Sequence, residues 1–168
     1  MQVIETKRLR LRHMDTADAA FILELLNDPA FLHFIGDKGV RTLDDARQYI
    51  LDGPVASYAR LGFGLYLVEL NETNSAIGMC GLIKRDALEY VDVGFAYLPA
   101  YRGNGYGSEA AFAVRDYAMN RLGLKRLAAI THPDNVSSIK VLEKLGLKFE
   151  RLIRLAPESD EIRLYLSE

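Results

Sequence analysis

The chain has 168 residues, 49% hydrophobic and 26% charged, which fits one folded domain with a core and excludes a disordered chain. Its net charge of −2 supplies no general attraction to nucleic acid or to an anionic membrane. A single cysteine, Cys80, excludes an intramolecular disulfide, and no apolar run is long enough for a membrane span or a signal peptide, so a cytoplasmic protein is expected.

In chain order, Thr6 to Met14 alternates basic and apolar residues, which predicts a strand with Leu9 and Leu11 inward. Its arginines are read as a solvated strand face rather than a binding patch. Asp15 is placed to cap a helix carrying Ala19, Ile22, Leu23 and Leu26, which Asn27-Asp28-Pro29 ends. Phe31, Phe34 and Ile35 follow in a short helix or loop. A second helix starts at Thr42 and runs through Ala46, Tyr49 and Ile50; Gly53-Pro54 is expected to interrupt it, with Pro54 opening another helical piece.

Phe63–Leu70 and Ala76–Ile83 read as an antiparallel hairpin around the turn Asn71–Asn74, with Gly78 and Gly81 marking close packing or a bulge. After the polar connection Lys84-Arg85-Asp86 comes a strand, Tyr90–Tyr97. Its parity sets Val91, Val93, Phe95 and Tyr97 on a core face, and Tyr90, Asp92, Gly94 and Ala96 on the other. That second face has one carboxylate beside two small residues, with room for a ligand along the strand.

Tyr101-Arg102-Gly103-Asn104-Gly105-Tyr106-Gly107-Ser108-Glu109 follows, opening a helix with Tyr106, Ala110, Ala113, Val114, Tyr117 and Ala118 on one stripe. Strand, glycine loop and helix point free backbone N–H groups and a partial positive charge at one place, which suits phosphate. No lysine stands where a P-loop needs one, and Ser108 replaces the third glycine of the dinucleotide fingerprint. Arg126–Thr131 is a strand closing a βαβ crossover, which makes it parallel to Tyr90–Tyr97. Pro133-Asp134-Asn135 is a turn, Val136–Leu145 a helix with Ile139, Leu142 and Leu145 inward, and Leu147–Leu152 with Glu161–Leu166 a last hairpin. The three histidines have no ligand spacing, so no metal is expected.

The loop pattern Arg102-Gly103-Asn104-Gly105-Tyr106-Gly107 resembles the coenzyme A pyrophosphate loop of the GNAT superfamily of N-acetyltransferases. The opening strand, the Asn27-Asp28-Pro29 break and the run His132–Gly146 resemble its ribosomal-protein N-terminal (alanine and serine) acetyltransferase branch. The resemblance covers nearly the whole chain. It implies an α/β (α+β) GNAT-like acyl-CoA N-acyltransferase fold over residues 1–168 as a single domain. Such a fold has a mixed, mostly antiparallel central sheet, a parallel strand pair at the coenzyme A site, and flanking helices, the first of which wall the acceptor pocket.

It also implies acetyl-CoA as cosubstrate, held by Phe95, Ala96, Tyr97, Arg102, Gly103, Asn104, Gly105, Tyr106, Gly107, Ser108 and Asn135. The acceptor is an amine, of a protein N-terminus or of a small molecule. Asp92 stands where the branch often has a glutamate and is the candidate base, acting through water given its shorter side chain. Its alternative role is a strand carboxylate paired with a lysine or arginine. Ser138 matches a serine near the leaving sulfur; its alternative is an ordinary first-turn serine. Asn135 is also a candidate N-cap. Leu142 replaces the tyrosine acid of many members. A catalytically silent coenzyme A-binding module and an unrelated nucleotide-binding domain are the competing readings. A monomer and a homodimer both remain open.

Overall fold

The computed structural model describes residues 2–168. One eight-stranded sheet runs through the molecule in the order β1-β2-β3-β4-β5-β6-β8-β7. Its strands are β1 (Gln2–Glu5), β2 (Leu9–Arg12), β3 (Leu65–Leu70), β4 (Ala76–Ile83), β5 (Asp92–Tyr97), β6 (Ala128–Thr131), β7 (Lys148–Ile153) and β8 (Ile162–Leu166). Every neighbouring pair is antiparallel except β5–β6, which is parallel. The helices are α1 (Ala19–Leu26), α2 (Pro29–Phe34), α3 (Leu43–Ile50), α4 (Ala56–Leu61), α5 (Tyr106–Asn120) and α6 (Val136–Lys144). Among the described residues no helix is long and apolar enough to cross a membrane.

Strand parity divides the core. Tyr66 and Val68 of β3 face α5, where Ala110, Val114 and Ala118 are fully buried; Leu67 between them faces α1 and α3 with Ile22, Leu25 and Ala46. On β5 the same alternation sends Val93, Phe95 and Tyr97 toward α5 and Ala96 toward the α1–α3 side. Asp92 and Gly94 share the parity of Ala96, so they belong to the face over which the early helices lie.

Leu9 and Leu11 are fully buried, as their alternation requires. The arginines of that run are not merely solvated. Arg10 pairs with Glu69, Arg12 with Asp18 and Glu69, and Arg8 with Glu109. Alternation locates an outward face but not the charges that neighbouring elements bring to it. Asp15 and Thr42 both close capping boxes, and Asp28 caps α2. Gly53-Pro54 does not break its helix: Leu51–Val55 widens into a π turn and continues into α4. Pro54 has no N–H to give, and the wider turn makes room for its ring.

Candidate active site

The site is built where β5 and β6 separate. The two strands pair only at Asp92 and Ala128, where the Ala128 N–H donates to Val91 O at 2.9 Å. Beyond this point no further β5–β6 residues pair among the described residues. Alternation turns the backbone groups of Phe95 and Tyr97 toward the opening. The carbonyl of Tyr97 is taken by Arg102, whose Nε and terminal nitrogen donate to it at 3.1 and 2.7 Å. The Phe95 N–H therefore faces the gap with no strand opposite.

At the wide end of the gap lies the glycine loop. Gly103 and Gly105 have φ of 79° and 82°, a conformation that L side chains rarely adopt, so glycine is needed at both. The result is a nest. Arg102 N–H donates to Pro99 O and Glu109 N–H to Gly105 O, but among the described residues the six amides from Gly103 to Ser108 meet no protein acceptor. They stand at the N-terminus of a 15-residue helix. Six free donors and a helix dipole at one place suit a pyrophosphate.

A brace from the other end of the chain holds the loop. Arg8 Nε donates to Glu109 at 2.6 Å, its terminal nitrogen donates to Asn104 O at 2.9 Å, and its guanidinium covers the Tyr106 ring. Thr6 and the Arg8 N–H also donate to Glu109. Partial burial pushes the Glu109 carboxyl up, but these hydrogen bonds outweigh it and hold the pKa below the usual value. A carboxylate depressed in the folded state stabilises above its unfolded pKa and loses that contribution as pH falls. Replacing Glu109 with alanine is expected to cost about 1 kcal/mol, discounted for the exposure of Arg8, and to weaken acetyl-CoA binding several-fold. Denaturant melts and an acetyl-CoA titration check both; unchanged affinity would show that the brace does not shape the loop.

One cleft of about 1210 Å³ joins this loop to the early helices. Asp92, Ser138, Phe95, Ala96, Tyr97, Arg102, Gly103, Gly105, Tyr106, Gly107, Ser108 and Asn135 all line it. Asn104 does not: its carbonyl serves Arg8, and its side chain bonds Arg102 O at 3.3 Å. Arg102 faces the cleft, but its bonds to Tyr97 O and, at 2.8 Å, to Asp28 tie β5 to the start of α2. That makes it a positioning residue. Asn135 is the N-cap of α6, accepting the Ser138 N–H at 3.3 Å. Ser138 is half-buried in the first turn, and Leu142 is buried core. His132 also lines the cleft and accepts the Asp134 N–H, which gives it a turn-stabilising role.

Asp92 is buried and receives Arg85 Nε on Oδ1 at 3.2 Å. Burial pushes its carboxyl up to about 6, although Arg85 pulls in the other direction. Its two sequence-based roles are thus compatible: it is ion-paired, and it is a carboxylate shifted toward neutrality that lines a cleft. Thr6, Arg8, Asp28 and Arg85 were not legible as site residues, since each acts through a partner distant in sequence or across a loop. Among the described residues no cluster of three or more histidine, cysteine, aspartate or glutamate side chains gathers to hold a metal.

The sequence model for the acetyltransferase (GNAT) domain matches residues 8–148. The chain is similar to the uncharacterized protein YkkB of Bacillus subtilis (strain 168), 30% identical over 152 residues, covering 89% of this chain and 87% of that protein. Among solved structures, an acetyltransferase from Agrobacterium tumefaciens superposes with a TM-score of 0.81 at 28% identity, covering 100% of this chain and 94% of that one. RimL, a ribosomal L7/L12 alpha-N-protein acetyltransferase in complex with coenzyme A, superposes with a TM-score of 0.84 at 16% identity, over 99% and 97% of the two chains, a likeness of fold alone.

Proposed function

We propose that this chain, which belongs to the GNAT acetyltransferase family, is a single-domain enzyme over residues 1–168 that acetylates a primary amine, with Asp92 as base. The single observation that carries this reading is the cleft itself, which joins the unpaired amides of Gly103 and of Gly105 to Ser108 to a buried carboxylate tuned to about 6. Acetyl-CoA supplies the activated acetyl group: the amine nitrogen bonds to the carbonyl carbon while the carbon–sulfur bond breaks, and the sulfur leaves with the electron pair.

The chain's own residues do the rest. The amides of Gly103 to Ser108 hold the pyrophosphate, Phe95, Ala96 and Tyr97 border the cosubstrate's path, and Asn135 borders it from the opposite side. The Phe95 N–H faces the gap and offers a donor where negative charge develops on the thioester oxygen. Asp92 takes the amine proton, directly or through water. Ser138 hydrogen-bonds the departing thiolate, whose ordinary pKa of roughly 8.5 asks only modest help from a donor. The amine must arrive neutral, which favours an α-amine, with a pKa of about 7.7–8.0, over a lysine side chain at about 10.4.

Thermal unfolding with saturating acetyl-CoA, ATP or NAD tests the reading. At a hundred times its dissociation constant a ligand stabilises by about 2.7 kcal/mol, which for a domain of this size raises Tm by roughly 5–11 °C. Acetyl-CoA alone should do this. An equal rise with ATP or NAD, or none with acetyl-CoA, removes the basis for the proposed cosubstrate. A rise with acetyl-CoA but no acetylation across a broad amine panel would instead favour a silent coenzyme A-binding module.

A further inference from the structure

We propose that the inner end of the cleft is a carboxylate subsite, where Lys38 and Arg85 receive the carboxylate of a small amino-acid acceptor and direct its amine to Asp92. This deepens the acetyl-transfer reading and rests on it. Lys38 lies on the loop between α2 and α3, Arg85 on the connection between β4 and β5, and Tyr49 on α3; all three line the cleft with Asp92.

The local charge is unbalanced. Arg85 gives only its Nε to Asp92, and its terminal nitrogens meet no protein acceptor among the described residues. Lys38 has no ion pair or hydrogen bond among the described residues. Although the residue as a whole is exposed, loss of hydration around its ammonium, followed by repulsion from Arg85, lowers its pKa from the usual lysine value. Tyr49 is also desolvated, and its hydroxyl sits within the field of Arg85. Lys84 also lies within the field of Asp92, but its ammonium is already taken by the carbonyls of Arg85 and Leu88. The Lys38 ammonium and the outer nitrogens of Arg85 thus line one cleft with no anion on either among the described residues, and a partly desolvated cation without a partner is a place for an anion.

The phosphates of the cosubstrate do not account for this excess. Their loop follows the C-terminal end of β5, and Arg85 meets Asp92 at the opposite end, roughly 17 Å away along the strand. The free edge of a guanidinium favours a bidentate carboxylate. In an α-amino acid the amine and carboxylate share one carbon. An arginine that holds Asp92 through Nε and the acceptor through its outer nitrogens therefore brings that amine beside Asp92.

The test compares common amino acids with their amides, in acetylation and in calorimetric binding to protein saturated with coenzyme A, for wild type and Lys38→Met. With kcat/KM referred to the neutral amine, the best amino acid should exceed its amide by roughly 10- to 100-fold, mainly through KM, from a charge-assisted hydrogen bond or two. In Lys38→Met that ratio should fall about tenfold, the remainder being held by Arg85, while an unchanged Tm shift with acetyl-CoA shows that the variant is folded. Amides or peptide N-termini used as well as the free acids, or binding that ignores the carboxylate, would overturn the subsite. Carboxylate-dependent binding without turnover would leave the subsite standing and overturn acetyl transfer.

Discussion

Asp92→Asn should lower kcat by about 100- to 10,000-fold, the range a general base contributes, with little change in acetyl-CoA binding. Asparagine keeps nearly the same shape and can still accept from Arg85, so the loss isolates the proton acceptor. The pH profile makes the assignment sharper. Only the ionised carboxylate accepts a proton, so wild-type kcat/KM, referred to the neutral amine, should rise through about pH 6 and then level. The variant should lack that limb. Stability has the opposite sign. A carboxyl whose folded pKa lies above its unfolded value of 3.8 stabilises fully below that value and loses the contribution as pH rises through about 6. The uncharged variant should therefore be at least as stable as wild type at pH 8. A variant that retains wild-type turnover, or retains the limb near pH 6, removes Asp92 from the mechanism.

The features that sequence makes legible here are those carried by local pattern. The glycine loop, the Asn135 cap, the β5 parity and the parallel crossover each depend on residues within one or two elements, and each is where its pattern puts it. The bracing contacts have another origin. Arg8 reaches Glu109 across 101 positions, and Arg102 reaches Asp28 across 74. Nothing in either segment names its partner, because side-chain pairing depends on how the elements pack. Strand β1 has only four residues, and two of its four are exposed, too short an alternation to stand out. The π turn at Pro54 is not legible for a related reason. Proline predicts a lost hydrogen bond, but neighbouring packing decides whether the helix ends or widens. The role of Arg85 needed the connection between β4 and β5 to be folded back, which brings it to a carboxylate seven residues on.

Gly78→Ala and Gly81→Ala should each destabilise the protein by about 3 kcal/mol, the upper end for overpacking, lowering Tm by roughly 6–12 °C. A Cβ at Gly81 would stand 2.2 Å from Gly64 O and 2.8 Å from Leu65 Cα. At Gly78 it would stand 2.3 Å from Ala96 O and 3.0 Å from Tyr97 Cα. These neighbours are backbone, so relief requires strands to move apart in the centre of the sheet, beside the carbonyl that Arg102 holds. Gly94 behaves differently. Its Cβ would meet only Ile83 Cδ1 at 3.3 Å and Leu65 Cδ2 at 3.7 Å, side-chain ends that can shift. Gly94→Ala should change stability by less than about 1 kcal/mol. Gly94 lines the cleft between Asp92 and Ala96, so the added methyl should instead weaken acetyl-CoA binding several-fold by narrowing the path along β5. Three thermal melts and one titration separate these effects. Gly94→Ala with unchanged affinity would move the cosubstrate away from β5, and Gly81→Ala with unchanged Tm would contradict the packing of β4 against the Gly64 backbone.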